Sequence, residues 1–141
     1  MITLKELPEH LRNLSEQNWN KLFDLISQIE QTKTFGEVVV DQEVESGVKQ
    51  FPYVNYSSLV HEFYKIVYDL KLVVVFNWMD WTEGKEIIDK QAYEGQNIIT
   101  LCKLLTTIIR ADRFSDGYLL SAFKHGDILA ILKEMKKKNI S

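Results

Sequence analysis

LCKLLTTIIRADRFSDGYLLSAFKHGDILAILKEMKK, residues 101–137, is the segment that decides the fold. It contains charged residues at positions where a helix should be apolar. At 3.6 residues per turn, an apolar stripe runs along this segment and reaches Asp112 at its next position. The stripe consists of Ile98, Leu101, Cys102, Leu105, Ile108 and Ile109. Burying an unpaired carboxylate is costly, so either the helix ends in time to release Asp112 to solvent, or hydrogen bonds and ion pairs hold it. The sequence therefore predicts a long central helix whose last turn needs polar partners.

The segment around this stripe predicts three helices. The main helix is expected over residues 96–114 and should stop at Ser115-Asp116-Gly117, which has the chemistry of a turn. A short helix over residues 118–124 and a closing helix over residues 128–138 follow. Lysines gather at the end of the closing helix, where the helix dipole favours cations.

Two further helices are predicted upstream. Ser15 can cap a helix running to about residue 31, and a second helix begins near Ser57 and runs to about residue 70. Both carry an apolar face at helical spacing. A shorter helix is expected over residues 82–88.

Strand-forming segments lie between these helices. Residues 36–41 and 48–54 predict a hairpin that turns near Ser46-Gly47, with Pro52 keeping the second strand at an edge or bulge. The β-branched run at residues 72–76 favours a buried strand or an extended connector.

Length and composition suit one folded domain. The 141 residues are 45% hydrophobic and 26% charged, which is ordinary for a globular protein with a proper core. We predict an α+β fold over residues 1–141, predominantly helical, with a small antiparallel sheet or hairpin packed on three main helices. Residues 1–14 are expected to form a peripheral N-terminal segment.

Composition also argues against several classes of protein. A net charge of −3 disfavours a nucleic-acid binder, which needs a clustered basic face. The longest apolar run, residues 72–76, is too short to span a membrane, so no membrane association and a cytoplasmic location are expected. Cys102 is the single cysteine and falls on the apolar stripe, where a buried, reduced thiol is the expected state.

Metal and cofactor signatures fail on inspection. The segment His61-Glu-Phe-Tyr-Lys65 begins like a zinc-protease motif, but Lys65 stands where the second imidazole must be. The segment that begins at Asp112 imitates a calcium loop, but Phe114 occupies its third position, which requires an oxygen ligand. The six glycines are isolated, so no phosphate-binding loop exists. No metal and no cofactor are predicted.

Two motifs resemble a known family. The first is Arg110-Ala-Asp-Arg-Phe-Ser-Asp-Gly117, and the second is Phe76-Asn-Trp78 followed by Trp81 and Gly84. Together they resemble the signature of a bacterial family of uncharacterised domains, over residues 35–137. The resemblance implies a compact bacterial intracellular domain, and it implies no activity.

Two clusters in these motifs are candidate sites. The first cluster could line a ligand site, in which the indoles stack on the ligand and the carboxylates bind its hydroxyl groups or a cation. It consists of Trp78, Asp80, Trp81 and Glu83. Neighbouring residues on a turn or helix produce the same pattern, however, and we favour aromatic core packing here.

The second cluster consists of Arg110, Asp112, Arg113 and Asp116. The arginines could present their guanidinium groups to an anionic ligand or a partner's carboxylate while the acids orient them. Alternatively, Asp112 accepts from an arginine or from backbone N–H groups of the following turn and secures the helix end. We favour this structural interpretation.

The sequence favours a non-catalytic binding or protein-interaction domain, because no nucleophile, metal set or phosphate loop is present. The alternative is a small hydrolase or transferase with a carboxylate and arginine cleft, in which Asp80 or Glu83 works with Arg110 and Asp112. The partner would be a protein or a small molecule, and the chain a monomer or homodimer. An enzyme requires both clusters to converge on one concave pocket.

Overall fold

The computed structural model describes residues 1–39 and 53–140 of the chain. The strands are β1 (Ile2–Thr3), β2 (Gly36–Val39), β3 (Tyr53–Tyr56) and β4 (Val74–Val75). The α-helices are α1 (Leu7–Asn13), α2 (Glu16–Phe23), α3 (Leu25–Gln31), α4 (Ser58–Asp69), α5 (Thr82–Lys90), α6 (Ile98–Ala111), α7 (Tyr118–Lys124) and α8 (Asp127–Ile140), and a short 3-10 helix spans Trp78–Asp80. The predominantly helical α+β fold predicted from the sequence is confirmed.

The antiparallel pairing of the two predicted hairpin strands is present. Strands β2 and β3 pair antiparallel, with Gly36 opposite Tyr56. The second strand continues to Tyr56, beyond the predicted end at Val54. The predicted turn at Ser46-Gly47 and the edge position of Pro52 lie outside the described residues.

Helix α6 forms the centre of the core and packs against α5, α7 and α8. Every residue from Leu101 to Ile109 except Lys103 is buried. The helix ends at Ala111, three residues before its predicted end, because Asp112 is its C-cap and its carboxylate is committed to groups outside the helix.

The first predicted helix, residues 15–31, is interrupted at Asp24 into α2 and α3. The Gln28 side-chain amide donates to the Asp24 carbonyl at 3.4 Å. A polar side chain that bonds to a backbone carbonyl in this way competes with the helical hydrogen-bond ladder. The apolar face survives the interruption, since Leu22, Ile26 and Ile29 are all buried.

Residues 1–14 contribute more than the peripheral segment expected from the sequence. Strand β1 pairs in parallel with β4, placing Ile2 opposite Val74. In α1, Leu7 is fully buried and Leu11 is 8% exposed. The pairing was missed because two-residue strands carry no alternating pattern in the sequence.

Polar caps fix three helix starts. Ser15 Oγ accepts from the Asn18 N–H at 3.1 Å, Ser57 Oγ accepts from Val60 N–H, and Asn97 Oδ1 accepts from Thr100 N–H at 2.8 Å. Among the described residues, no helix combines the length and apolar character needed to cross a bilayer.

Candidate functional site

The Asp112 carboxylate is half-buried and faces the hairpin. Its Oδ1 atom accepts from the Tyr56 hydroxyl at 2.7 Å and from the Leu119 N–H, at the start of α7, at 3.0 Å. The Tyr56 oxygen in turn accepts from Leu120 N–H at 3.3 Å. Burial, together with this carboxylate, raises the pKa of Tyr56 well above its ordinary value. Asp112 therefore accepts a hydrogen bond from a backbone N–H group of the following turn, which is one of the partners predicted from the sequence. Its side-chain partner is a tyrosine and not one of the two predicted arginines.

Asp116 makes a second link to the same hairpin. Its Oδ2 atom accepts from the Val54 N–H of β3 at 3.2 Å. Gly117 follows with a φ of +93°, a conformation that a residue with a side chain adopts only under strain. The two acids of the cluster thus fasten the α6–α7 loop to the hairpin.

The two arginines of the cluster lie on another surface. Arg110 and Arg113 line a hollow of about 190 Å³ together with two side chains of the 3-10 helix and one that follows α6. These are Trp78, Met79 and Phe114. We call the five residues the aromatic–arginine patch.

Exposed apolar surface distinguishes this patch. Phe114 is 74% exposed and Met79 is 52% exposed. The Phe114 ring lies 5.9 Å from the ring of Trp78, at an interplanar angle of 44°. Within the part of the chain that the structure describes, neither guanidinium has a carboxylate oxygen within 4.0 Å. The patch therefore presents apolar area and cationic charge together.

Trp81 has a different role from Trp78. Its ring packs edge-on against Phe76 at 5.6 Å, and Lys103 Nζ lies 4.2 Å from its centroid. A Cβ atom at Gly84 would stand 2.2 Å from Trp81 Cε3, so only glycine fits beneath the indole. Trp81 is half-buried against the core, and it does not line the patch.

The two acids beside the tryptophans, Asp80 and Glu83, are exposed. Asp80 Oδ2 accepts from the Asn77 side-chain amide at 2.7 Å, which closes the 3-10 helix locally. Glu83 lies in the first turn of α5, where a carboxylate complements the helix dipole. Neither residue lines the hollow of the patch.

The acids and arginines of the second cluster line different hollows in the part of the chain that the structure describes. Asp112 lines a separate hollow of about 220 Å³ with Tyr56, His61 and Tyr64. Asp80 and Glu83 border neither hollow.

Sequence reasoning missed several residues of this region. Met79 and Phe114 belong to the two motifs, but nothing in their spacing marks them as exposed. Tyr56 was missed because its partner Asp112 lies 56 positions away. Tyr64 lies beside Arg113 and raises the pKa of its guanidinium, a contact that also needs coordinates to see.

A buried carboxylate lies at the start of α8. Asp127 is 8% exposed, and its Oδ1 atom accepts from the Tyr93 hydroxyl at 2.5 Å and the Gln91 amide at 3.2 Å. Burial, together with this carboxylate, raises the pKa of Tyr93. The described residues contain no group of three or more His, Cys, Asp or Glu side chains placed to hold a metal ion.

Comparison with known proteins gives one match. The model of a family described as a family of unknown function, DUF6508, matches residues 14–139. No curated protein and no solved structure matches the chain.

Proposed function

We propose that the chain, which belongs to the DUF6508 family of unknown function, is a protein-interaction domain. The aromatic–arginine patch would contact an acidic segment of a partner protein that also carries an apolar side chain. The observation that carries the proposal is Phe114, a large apolar ring that is 74% exposed and lines the same hollow as two arginines.

The residue types of the patch support a protein partner. Tryptophan, phenylalanine, methionine and arginine are enriched at protein interfaces, and tryptophan and arginine dominate their binding energy. The hollow of about 190 Å³ is smaller than the roughly 300–1,000 Å³ of typical small-molecule sites. A partner side chain fits such a hollow better than a whole small ligand does.

Charge supports an acidic partner. Asp112 and Asp116 accept from hairpin donors, so they do not neutralise Arg110 or Arg113. Guanidinium groups bind carboxylates through paired, charge-assisted hydrogen bonds. The acids of the cluster thus hold the loop in place, and no described carboxylate lies within 4.0 Å of either guanidinium.

The backbone beside the patch is anchored by hydrogen bonds. Phe114 and Arg113 follow the end of α6, where Asp112 ties the chain to Tyr56 and Leu119. Trp78 contacts Phe114 from the 3-10 helix. A surface already fixed in its binding conformation loses less conformational entropy when the partner binds.

Fluorescence anisotropy with labelled synthetic peptides tests the proposal. The set would contain an acidic peptide with leucines, the same acidic peptide with serines for leucines, and a basic peptide with leucines. We expect the acidic leucine peptide to bind best. Phe114→Ser and Arg113→Glu should each weaken it by about tenfold or more, as interface hot spots do.

Lys21→Glu is the matched control, because it makes the same charge change at an exposed residue of α2 outside the patch. Equal weakening by Lys21→Glu and Arg113→Glu would show unspecific charge attraction and contradict the proposal. So would equal binding of all three peptides. A homodimer in sedimentation that Phe114→Ser dissociates would assign the patch to a second copy of the chain instead.

A further inference from the structure

A larger hollow lies away from the aromatic–arginine patch and shares no lining residue with it. Its volume is about 480 Å³, within the roughly 300–1,000 Å³ range of small-molecule sites. It is formed where α1 and α2 meet the first turn of α6 and the end of α8. The lining residues are Pro8, Leu11, Arg12, Leu14, Trp19, Ile98, Ile99, Lys138 and Asn139.

The floor of this hollow is apolar and preformed. Leu11 and Trp19 are buried, at 8% and 4% exposure, and Ile98 and Ile99 are half-buried. The Trp19 ring stacks on Phe23 at 5.5 Å with an interplanar angle of 10°, which fixes the indole. The walls are helices with defined starts, so the hollow does not depend on a ligand to form.

The rim carries positive charge. Arg12 and Lys138 line the hollow, and none of its described lining residues is acidic. Glu134 Oε1 lies 3.9 Å from Lys138 Nζ, whereas no described carboxylate lies within 4.0 Å of Arg12. Arg12 is thus the cation that a bound anion would meet.

The partial charge of the helix backbone also favours an anion on one wall of the hollow. The first turn of α6, capped by Asn97, places the positive end of a 14-residue helix beside Ile98 and Ile99. The carboxyl end of α8 also reaches the hollow, and lysines in its last turn counter the partial negative charge there.

We propose that this hollow binds a small amphipathic carboxylate, with its apolar body on Leu11, Trp19 and Ile99 and its carboxylate at Arg12. The apolar floor would contact the hydrocarbon part of the ligand, and the cationic rim would contact its carboxylate. A polyanion such as a nucleotide would place polar groups on the apolar floor without hydrogen-bond partners, at a high cost in desolvation. The proposal is independent of the protein-interaction function, because the two sites share no residue.

Fluorine NMR of the protein labelled with 5-fluorotryptophan tests this binding directly. Octanoate is the probe, and octanol is its neutral counterpart. The Trp19 resonance should shift saturably with octanoate, while the resonances of Trp78 and Trp81 stay in place. Octanol should bind about tenfold more weakly, since it loses the charge-assisted bonds to the guanidinium.

Two substitutions complete the test. Arg12→Ala should weaken octanoate about tenfold and leave octanol unchanged. Lys21→Ala, which removes an exposed cation outside the hollow, should change neither. The proposal is overturned if Trp19 does not respond, if octanol binds as well as octanoate, or if Arg12→Ala leaves octanoate binding unchanged. Because Arg12 is exposed, its replacement should not prevent folding.

Discussion

The Tyr56 hydroxyl donates to Asp112 Oδ1 at 2.7 Å, a bond between residues 56 positions apart in the chain. It joins the second strand of the hairpin to the C-cap of α6. Leu119 N–H reaches the same carboxylate oxygen at 3.0 Å, and Leu120 N–H reaches the Tyr56 oxygen at 3.3 Å. One carboxylate oxygen therefore organises the contact between the hairpin, the α6–α7 loop and α7.

Replacing Asp112 tests this junction. Asp112→Ala should lower the free energy of unfolding by about 2–3 kcal/mol, because it leaves the Tyr56 hydroxyl and the Leu119 N–H without their acceptor. Asp112→Asn should cost about 1 kcal/mol or less, since both donors use Oδ1 and an amide keeps that oxygen. Urea unfolding measures both. Equal midpoints for Asp112→Ala and the parent protein would mean that the junction adds nothing to stability.

Gly84→Ala tests the packing beneath Trp81. Helix propensity alone favours alanine over glycine by about 1 kcal/mol. Here the added Cβ would lie 2.2 Å from Trp81 Cε3, and overpacking of this kind costs about 1–3 kcal/mol. We expect a net loss of stability in thermal unfolding.

The partner residue provides the control for this substitution. In a Trp81→Leu background, Gly84→Ala should become neutral or stabilising, because the indole that causes the clash is gone. If alanine destabilises the protein equally in both backgrounds, the indole contact is not the cause.

Most of the helices, α1 excepted, could be predicted because their signals are local. Ser15 and Ser57 were identified as helix starts and do accept backbone N–H groups, and α7 has the bounds that the spacing predicts. Apolar periodicity and capping act within a few residues, so they can be read from the sequence.

The candidate site depends on contacts that the sequence does not encode locally. The sequence grouped Arg110 and Arg113 with Asp112 and Asp116, but folding turns the acids towards the hairpin and leaves the arginines beside Trp78. The direction of each side chain in this short loop depends on distant hydrogen-bond donors. For Asp116 the donor is the Val54 N–H, 62 positions away in the chain. Spacing along one helix cannot supply that information.

Stability should fall at alkaline pH. Burial raises the pKa of the Cys102 thiol to about 12 from an ordinary value of 9.0, and the pKa values of Tyr56 and Tyr93 are also raised by burial. Above pH 9 the unfolded chain releases a proton that the folded chain retains, so unfolding becomes more favourable as pH rises. Each such proton lowers the free energy of unfolding by about 1.4 kcal/mol per pH unit.

Cys102→Ala separates the thiol from the tyrosines. Between pH 9 and 10 this variant should lose stability less steeply than the parent protein, because the tyrosines have an ordinary pKa of 10.0. Above pH 10 the variant should also lose stability steeply. Urea unfolding across this range gives the slopes, and identical slopes from pH 9 to 10 would show that the thiol ionises as readily in the folded protein as in the unfolded chain.

Nucleic acid should not bind at physiological salt, despite the lysines at the end of α8. Phosphate binding requires several cations on one continuous face, and the chain has a net charge of −3. Lys133 Nζ lies 3.3 Å from Glu30 Oε2, and Lys137 Nζ lies 3.6 Å from Oε2 of the buried Glu134. These two lysines therefore form ion pairs within the protein. Electrophoretic shifts with single- and double-stranded DNA and with RNA measure this, and no complex should form. A sub-micromolar complex that weakens steeply with salt, and is lost on Lys136→Glu and Lys137→Glu, would contradict the expectation and make the end of α8 a nucleic-acid contact.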